Sequence, residues 1–534
     1  MHRLERSLAE STLGSRHEAA WLRAIEHFAR VTASGDKAEL AEVPEDSPVW
    51  MQATSTRDNC LGQECPRYKE CFVMRARKNA LDADVVVVNH HLFFADVMLR
   101  DEGVAELLPA CNTVILDEAH QLPDTARMFF GERLSTGYVV DLARDARLEL
   151  RAAGGVSREL DAAATALDKS ARDLRLVFGA EQAKLAYAQA SRSVGFDAAL
   201  AVLDAALASF AAALVSQAER SEGLGTCARR AAETLAVLAR FREQGDSPTA
   251  KDGTRAVRWV EVYSQALQLH VTPLDTGEHF RKQMQDHPRA WILTSATLAV
   301  GEDFSHFKRE IGIEDAETRG WPSPFDFQNQ ALLYMPKGLP ADPNDPTFTE
   351  AVIEAALPVL QASRGRAFLL FTTLRALRRA NELLKDRIEY PLLVQGSGSR
   401  SALLKRFREL GNAVLLGAAS FWEGVDVRGE ALSVVVIDKL PFAPPDDPVL
   451  AAHIDAMRAE GGNPFMDYQL PQAILQLKQG AGRLIRDDGD RGVLMLCDPR
   501  LHSKAYGRRV RDSLPPMRQT RVLGDIEAFF ATIE

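Results

Sequence analysis

Short, uninterrupted runs of β-branched and leucine side chains recur along this chain, and several end abruptly in polar or acidic residues. Val85-Val86-Val87-Val88 runs into Asn89-His90-His91, Thr113-Val114-Ile115-Leu116 into Asp117-Glu118-Ala119-His120, and Ala290-Trp291-Ile292-Leu293 into Thr294-Ser295-Ala296-Thr297-Leu298. A strand covered on both faces of a parallel sheet is apolar throughout, so the first two runs predict buried parallel strands and the third a further strand. Further runs at 367–371, 392–394, 413–416, 433–437 and 493–497 predict a second set. Helical periodicity separates them at 351–360, 374–384, 403–410 and 470–479. Strands alternating with helices predict a parallel α/β sheet.

The pattern changes from about Leu134 to Leu269, where Ala, Leu, Arg and Glu recur at helical spacing and Gly154-Gly155, Gly223–Gly225 and Gly245–Pro248 punctuate them. An all-helical insertion is predicted there. Its most apolar stretch, 198–215, places Leu200, Leu203, Leu207, Phe210 and Leu214 on one stripe and is interrupted by Asp204, which predicts a packed helix rather than a membrane span. Residues 1–59 predict a partial domain that opens with a helix to about Val31. Trp321–Asp326 reads as a rigid connector and Pro336–Pro346 as an exposed loop.

A chain of 534 residues exceeds one core and predicts three or four domains. The net charge of -10 excludes a uniformly basic nucleic-acid coat but leaves room for a local basic channel. The first residues are charged and amphipathic without an apolar signal core, which points to the cytoplasm. Of six cysteines, Cys60, Cys65 and Cys71 form a C-x4-C-x5-C run. Thiolates this close suit one soft metal centre, zinc or an iron-sulfur cluster, and both want a fourth ligand. Cys111, Cys227 and Cys497 read as structural thiols.

Strand ends are where an open α/β sheet keeps its working residues. Asp117 can hold Mg²⁺ while Glu118 orients water toward a γ-phosphate. The hydroxyls of Thr294 to Thr297 suit a loop that senses phosphate, or a polar turn capping the next helix. The loop Ser420-Phe421-Trp422-Glu423-Gly424-Val425-Asp426 joins a close-approach glycine to two acids. In Gln479-Gly480-Ala481-Gly482-Arg483-Leu484-Ile485-Arg486 the two arginines stand three apart, on one helical face if the helix persists, where they can reach phosphoryl oxygens. Lys439–Asp446 reads as a rigid loop that lines a nucleic-acid path or turns the chain. His90 and His91, adjacent on a predicted strand, point to opposite faces and read as packing residues.

In this order the segments resemble the superfamily 2 iron-sulfur DNA helicases of the DinG and XPD-like group, most closely the bacterial YoaA-like members, over nearly the whole chain. The resemblance implies two RecA-like parallel-sheet domains, the first incomplete, with an iron-sulfur domain remnant and a helical Arch insertion. The boundaries it implies are 1–80 for the cluster domain, 81–133 and 276–328 for the first RecA-like domain, 134–275 for the Arch, and 329–534 for the second RecA-like domain. It implies Asp117, Glu118 and His120 as the DEAH box, with Asp117 on Mg²⁺. Gln479, Arg483 and Arg486 correspond to motif VI, the two arginines on the γ-phosphate. Glu423, Gly424 and Asp426 of motif V fall at ATP, and Ser295, Thr297, Thr372 and Ser420 at coupling or DNA contacts. Cys60, Cys65 and Cys71 become ligands of a 4Fe-4S cluster. ATP hydrolysis then drives a monomer along single-stranded or forked DNA, 5′ to 3′, in DNA repair or the response to replication stress, with replication or repair proteins as partners.

Two features depart from that family. No Gly-Lys dipeptide occurs, so the G-x-x-x-x-G-K-[ST] phosphate loop is missing, and no cysteine precedes Cys60 to serve as the fourth ligand. The expectation is therefore an amino-terminally truncated helicase that assembles its cluster poorly. Its rivals are a DNA- or partner-binding fragment without ATPase activity and, ranked below both, an exonuclease, for which no upstream cluster of acids is present.

Overall fold

The computed structural model describes residues 3–532 except 6–7, 9–15, 41, 45–46, 48, 56–59, 102–107, 180–181, 244–248, 251–253, 287–288, 419–420, 422–426 and 428. Its strands are β1 (Thr113–Leu116), β2 (Glu132–Ser135), β3 (Ala183–Ala186), β4 (Ala256–Val262), β5 (Leu267–Pro273), β6 (Ala290–Leu293), β7 (Ala331–Tyr334), β8 (Ala367–Leu370), β9 (Leu392–Val394), β10 (Val414–Gly417), β11 (Val434–Ile437), β12 (Gly492–Leu496) and β13 (Arg518–Thr520). The chain divides into two compact units, Met1–Val114 with Leu122–Ala290 and Asp446–His453, and Ile115–Gln121 with Trp291–Pro445 and Ile454–Glu534.

In the first unit the helix Arg16–Val31 buries Leu22 and Ile25 with Val43, Val49 and Trp50. Single 3-10 turns at Gly62–Glu64 and Tyr68–Glu70 lead into the helix Phe72–Leu81, whose N-cap is Cys71. The run 84–88 forms no strand. It bends at Asp84 and Val85, and Val85 and Val87 are 80% and 92% exposed, because an apolar segment becomes a strand only where a neighbour takes up its backbone N–H and C=O groups.

The insertion is not all-helical. Beside the helices Thr136–Ala152, Arg158–Leu176, Phe196–Val215 and Glu222–Arg242 it holds an antiparallel sheet in the order β2-β5-β4-β3. The sheet was hidden because two of its strands are four residues long, while β4 and β5 carry buried polar residues. Arg258 and Thr272 interrupt the alternation that marks a half-buried strand. Ser157 and Ser221 cap their helices by accepting the Leu160 and Leu224 N–H groups at 3.2 and 3.1 Å. Leu200, Leu203, Leu207, Phe210 and Leu214 lie at 0–2% exposure in the insertion's core, so the apolar stripe of Phe196–Val215 packs against neighbouring helices. Among the described residues this helix alone has the length and apolarity to cross a membrane.

The second unit is built on a seven-stranded sheet in the order β13-β7-β12-β11-β8-β10-β9, parallel at every pairing. The runs expected at 367–371, 392–394, 413–416, 433–437 and 493–497 are β8 to β12. Every residue of β7, β8, β10, β11 and β12 is buried, which is why β8, β10, β11 and β12 read as unbroken apolar runs, while β7 was not anticipated. The polar edge strand β13 gave no such signal. After β8 the chain travels to β9 and β10 on one side, and after β11 to β12 on the other. The order thus reverses between β8 and β11, the place where an open α/β sheet leaves a crevice at its carboxyl edge.

β1 and β6 pair as a separate two-stranded sheet. The Ala290 N–H donates to the Asn112 carbonyl and the Thr294 N–H to the Leu116 carbonyl, each at 2.9 Å, so the strands run parallel. β1 was expected to be buried, yet its Ile115 is 64% exposed, and Ile292 of β6 is 44% exposed. Exposure alternates along both strands, with Leu116 buried and Ile115 and Ile292 exposed, so among the described residues one face of the pair is left uncovered.

Candidate active site

The strand β1 ends in a turn that turns the chain sharply: Glu118 has φ +49°, a left-handed conformation unusual for a side chain with a Cβ. The turn is closed by the Gln121 N–H on the Glu118 carbonyl at 3.0 Å and by the Ala119 N–H on the Thr294 carbonyl at 2.9 Å. Asp117 and Glu118 are therefore presented to solvent at the carboxyl end of a parallel strand, while Ala119 is buried behind them.

The neighbouring strand end holds these acids. Thr294 Oγ1 donates to Asp117 Oδ1 at 2.8 Å, and Ser295 Oγ donates to Glu118 Oε2 at 3.3 Å. His120 Nδ1 lies 2.9 Å from Ser295 Oγ and 3.3 Å from Glu118 Oε2. A hydroxyl carries one hydrogen. With that hydrogen on the carboxylate, Nδ1 of His120 bears its own proton and donates it to Ser295 Oγ. The Thr297 N–H also reaches Ser295 Oγ, at 3.1 Å, and folds the segment back on itself. One hydroxyl thus connects the carboxylate, the imidazole and the following backbone.

From the helix Leu470–Ala481, Gln479 Nε2 donates to the buried Thr297 Oγ1 at 3.4 Å and Lys478 Nζ donates to the Ala299 carbonyl at 3.0 Å. Burial holds the Lys478 ammonium below its ordinary pKa. The helix stops at Ala481. The N–H groups of Gly482, Arg483 and Leu484 close tight turns on Lys478, Gly480 and Ala481, so Arg483 and Arg486 do not share a helical face. Both lie half-buried on a turn anchored by the buried Leu484 and Ile485. Spacing alone suggested a helical face; Gly482 and the burial of the two residues between the arginines decided otherwise.

At the switch point, Asp438 follows β11 at 4% exposure. Its Oδ1 accepts the Thr372 and Lys439 N–H groups at 3.0 and 2.8 Å, and its Oδ2 lies 3.4 Å from Thr372 Oγ1. Burial pushes this carboxyl up to about 7, against the opposing pull of Lys439. Asp438 was missed as a site residue although it ends an apolar run in an acid, the signature that singled out Asp117. Thr294, which bonds Asp117 directly, was read within its segment but not as a site residue. Ser420, Glu423, Gly424 and Asp426 lie outside the described residues.

Cys65 and Cys71 each close one of the two 3-10 turns, and Cys60 is exposed. Among the described residues no group of three Cys, His, Asp or Glu side chains gathers closely enough to hold a metal ion. The three thiols as placed do not form a cluster cage.

Residues 356–517 match the helicase C-terminal domain family. The chain is 41% identical over 507 residues to the "ATP-dependent DNA helicase YoaA" of Escherichia coli (strain K12), covering 95% of this chain and 78% of that protein. It is 33% identical over 504 residues to the "ATP-dependent helicase DinG" of Mycobacterium tuberculosis (strain ATCC 25618 / H37Rv), covering 92% and 73%. Its fold is similar to that of a solved structure named "XPD_Helicase", with a TM-score of 0.52 at 16% identity over 89% of this chain and 79% of the other.

Proposed function

The chain belongs to the family of ATP-dependent helicases that includes YoaA and DinG, and from that premise we propose that the Asp117–His120 turn serves the hydrolysis of ATP. The observation that carries this reading is the set of bonds from Thr294 and Ser295 to Asp117, Glu118 and His120, continued through Thr297 to Gln479. Two exposed adjacent carboxylates at a strand end supply hard oxygen donors of the kind Mg²⁺ takes alongside nucleotide phosphates. Asp117 would hold that ion, which when bound neutralises charge on the transferring phosphoryl group. Glu118 orients the attacking water, with His120 and Ser295 fixing its carboxylate. Arg483 and Arg486 serve the γ-phosphate, with Glu423, Gly424 and Asp426 on the nucleotide. Ser295, Thr297, Thr372 and Ser420 couple hydrolysis to single-stranded or forked DNA.

The protein is read as a cytoplasmic monomer that moves 5′ to 3′ in DNA repair or the replication-stress response. Sequence-tolerant contact with the backbone of the strand gives strong salt dependence. A second reading, a DNA- or partner-binding chain without turnover, is favoured by the missing Gly-Lys dipeptide. DNA-stimulated ATP hydrolysis separates the two. Turnover that rises with single-stranded DNA and is abolished in Glu118→Gln supports the first, whereas single-strand binding without turnover supports the second.

A further inference from the structure

The arginine-bearing turn is tied to a second loop by one buried acid. Asp490 is 7% exposed, and its Oδ2 accepts the Arg486 and Asp487 N–H groups at 2.8 and 2.9 Å. Its Oδ1 reaches 61 residues back along the chain to accept the Gly429 N–H at 3.1 Å. In sequence, Gly429 lies between β10 and β11, three residues after Asp426. Gln330, also 7% exposed, closes the turn from the other side: its Nε2 lies 3.2, 2.9 and 3.1 Å from the carbonyls of Asp487, Asp488 and Asp490. Beneath the turn, a Cβ added at Gly492 would meet Leu484 Cδ1 and the Ser433 carbonyl at 2.5 Å each, so the turn sits directly on the start of β12.

Leu484, Ile485 and Gln330 hold the turn to the sheet. The bond from Asp490 to Gly429 joins the turn to a backbone segment 61 residues earlier in the chain. We propose that Asp490 is a positioning residue that couples the backbone at Gly429 to the backbone of Arg486, so that a shift of either moves the other. A carboxylate suits this task because its two oxygens accept from both sides at once, and bonds to a charged acceptor are the stronger class. The inference rests on the reading that these two loops act on nucleotide, but its test does not depend on turnover.

The test is hydrogen exchange by mass spectrometry on the full chain. In Asp490→Asn one acceptor oxygen becomes a donor facing an N–H, so exchange is expected to accelerate about tenfold in peptides covering both 427–432 and 483–490, with β8 and β11 unchanged. Gln330→Ala is expected to accelerate 483–490 alone. If the Asp490 variant does not fold, urea-dependent exchange of the unaltered protein decides: the amides of Gly429, Arg486 and Asp487 are expected to open together with one free energy and one urea slope. Acceleration confined to 483–490 in Asp490→Asn, or separate openings in the unaltered protein, overturns the coupling. Where the unaltered chain hydrolyses ATP, Asp490→Asn is expected to lower kcat about tenfold with KM within about twofold, and an unchanged kcat counts against the proposal. An absence of turnover in the unaltered chain defeats the reading of function and leaves the exchange result to judge the coupling.

Discussion

Replacing Asp438 with asparagine tests whether a neutral acid sits at the switch point of the large sheet. An aspartate raised from 3.8 to about 7 binds its proton more tightly in the folded chain than in the unfolded one. Its stabilising contribution is therefore fully present below the unfolded value and is lost as pH rises through the folded one. At about 1.4 kcal/mol per pH unit, the loss across that window is on the order of 4 kcal/mol. Cys497, held well above its ordinary pKa by burial and by Asp438 and Asp498, stays a thiol throughout and adds no step. Asparagine mimics the protonated acid: its oxygen keeps the N–H groups of Thr372 and Lys439, and its NH₂ faces Thr372 Oγ1. Unfolding free energies of Asp438→Asn and the unaltered chain, measured in urea from pH 5 to pH 8, are expected to diverge in favour of the variant by about 3 kcal/mol, with no further gain above pH 8. Curves that stay parallel across this range would show that Asp438 ionises at its ordinary pKa, and the argument from burial would fail.

Ser295→Ala removes the donor to Glu118 and the acceptor for His120 and Thr297, and is expected to lower DNA-stimulated kcat about tenfold, equivalent to roughly one good hydrogen bond. An unchanged kcat would mean that the hydroxyl does not hold Glu118 in the working state. In the insertion, Arg230 pairs with Asp145 at 3.0 Å and donates to the Tyr138 hydroxyl at 3.1 Å, with side chains 6% and 14% exposed for the ion pair. Arg230→Met strands Asp145 and is expected to cost about 3–5 kcal/mol in urea unfolding, partly recovered in the double variant with Asp145→Asn. Additive losses would show that the two side chains are independent. Anaerobic reconstitution with iron and sulfide is expected to load the chain well below a full 4Fe-4S complement, since Cys60, Cys65 and Cys71 offer three thiolates. A full complement that survives Cys111→Ser would refute the ligand count.

By itself the sequence determined the parallel sheet of the second unit, because strands buried on both faces must be apolar at every position and few other structures impose that pattern. It also marked Asp117-Glu118 and the Thr294–Leu298 segment, because an apolar run that stops at acids or hydroxyls has few places to end other than a strand's edge. Tertiary structure decided what those patterns left open. Whether Val85–Val88 pairs depends on a neighbour that no local pattern can report, and the exposure of β1 and β6 has the same cause. The strands of the insertion were masked because Arg258 and Thr272 are buried through hydrogen bonds, so polarity no longer reported which face they occupied. The turn of Arg483 and Arg486 followed from where Leu484 and Ile485 find cover. The bonds of Ser295 to Glu118 and His120, and of Asp490 to Gly429, join residues far apart in the chain. Such partners are chosen by the packing of the sheets and leave no periodic trace in the order of residues.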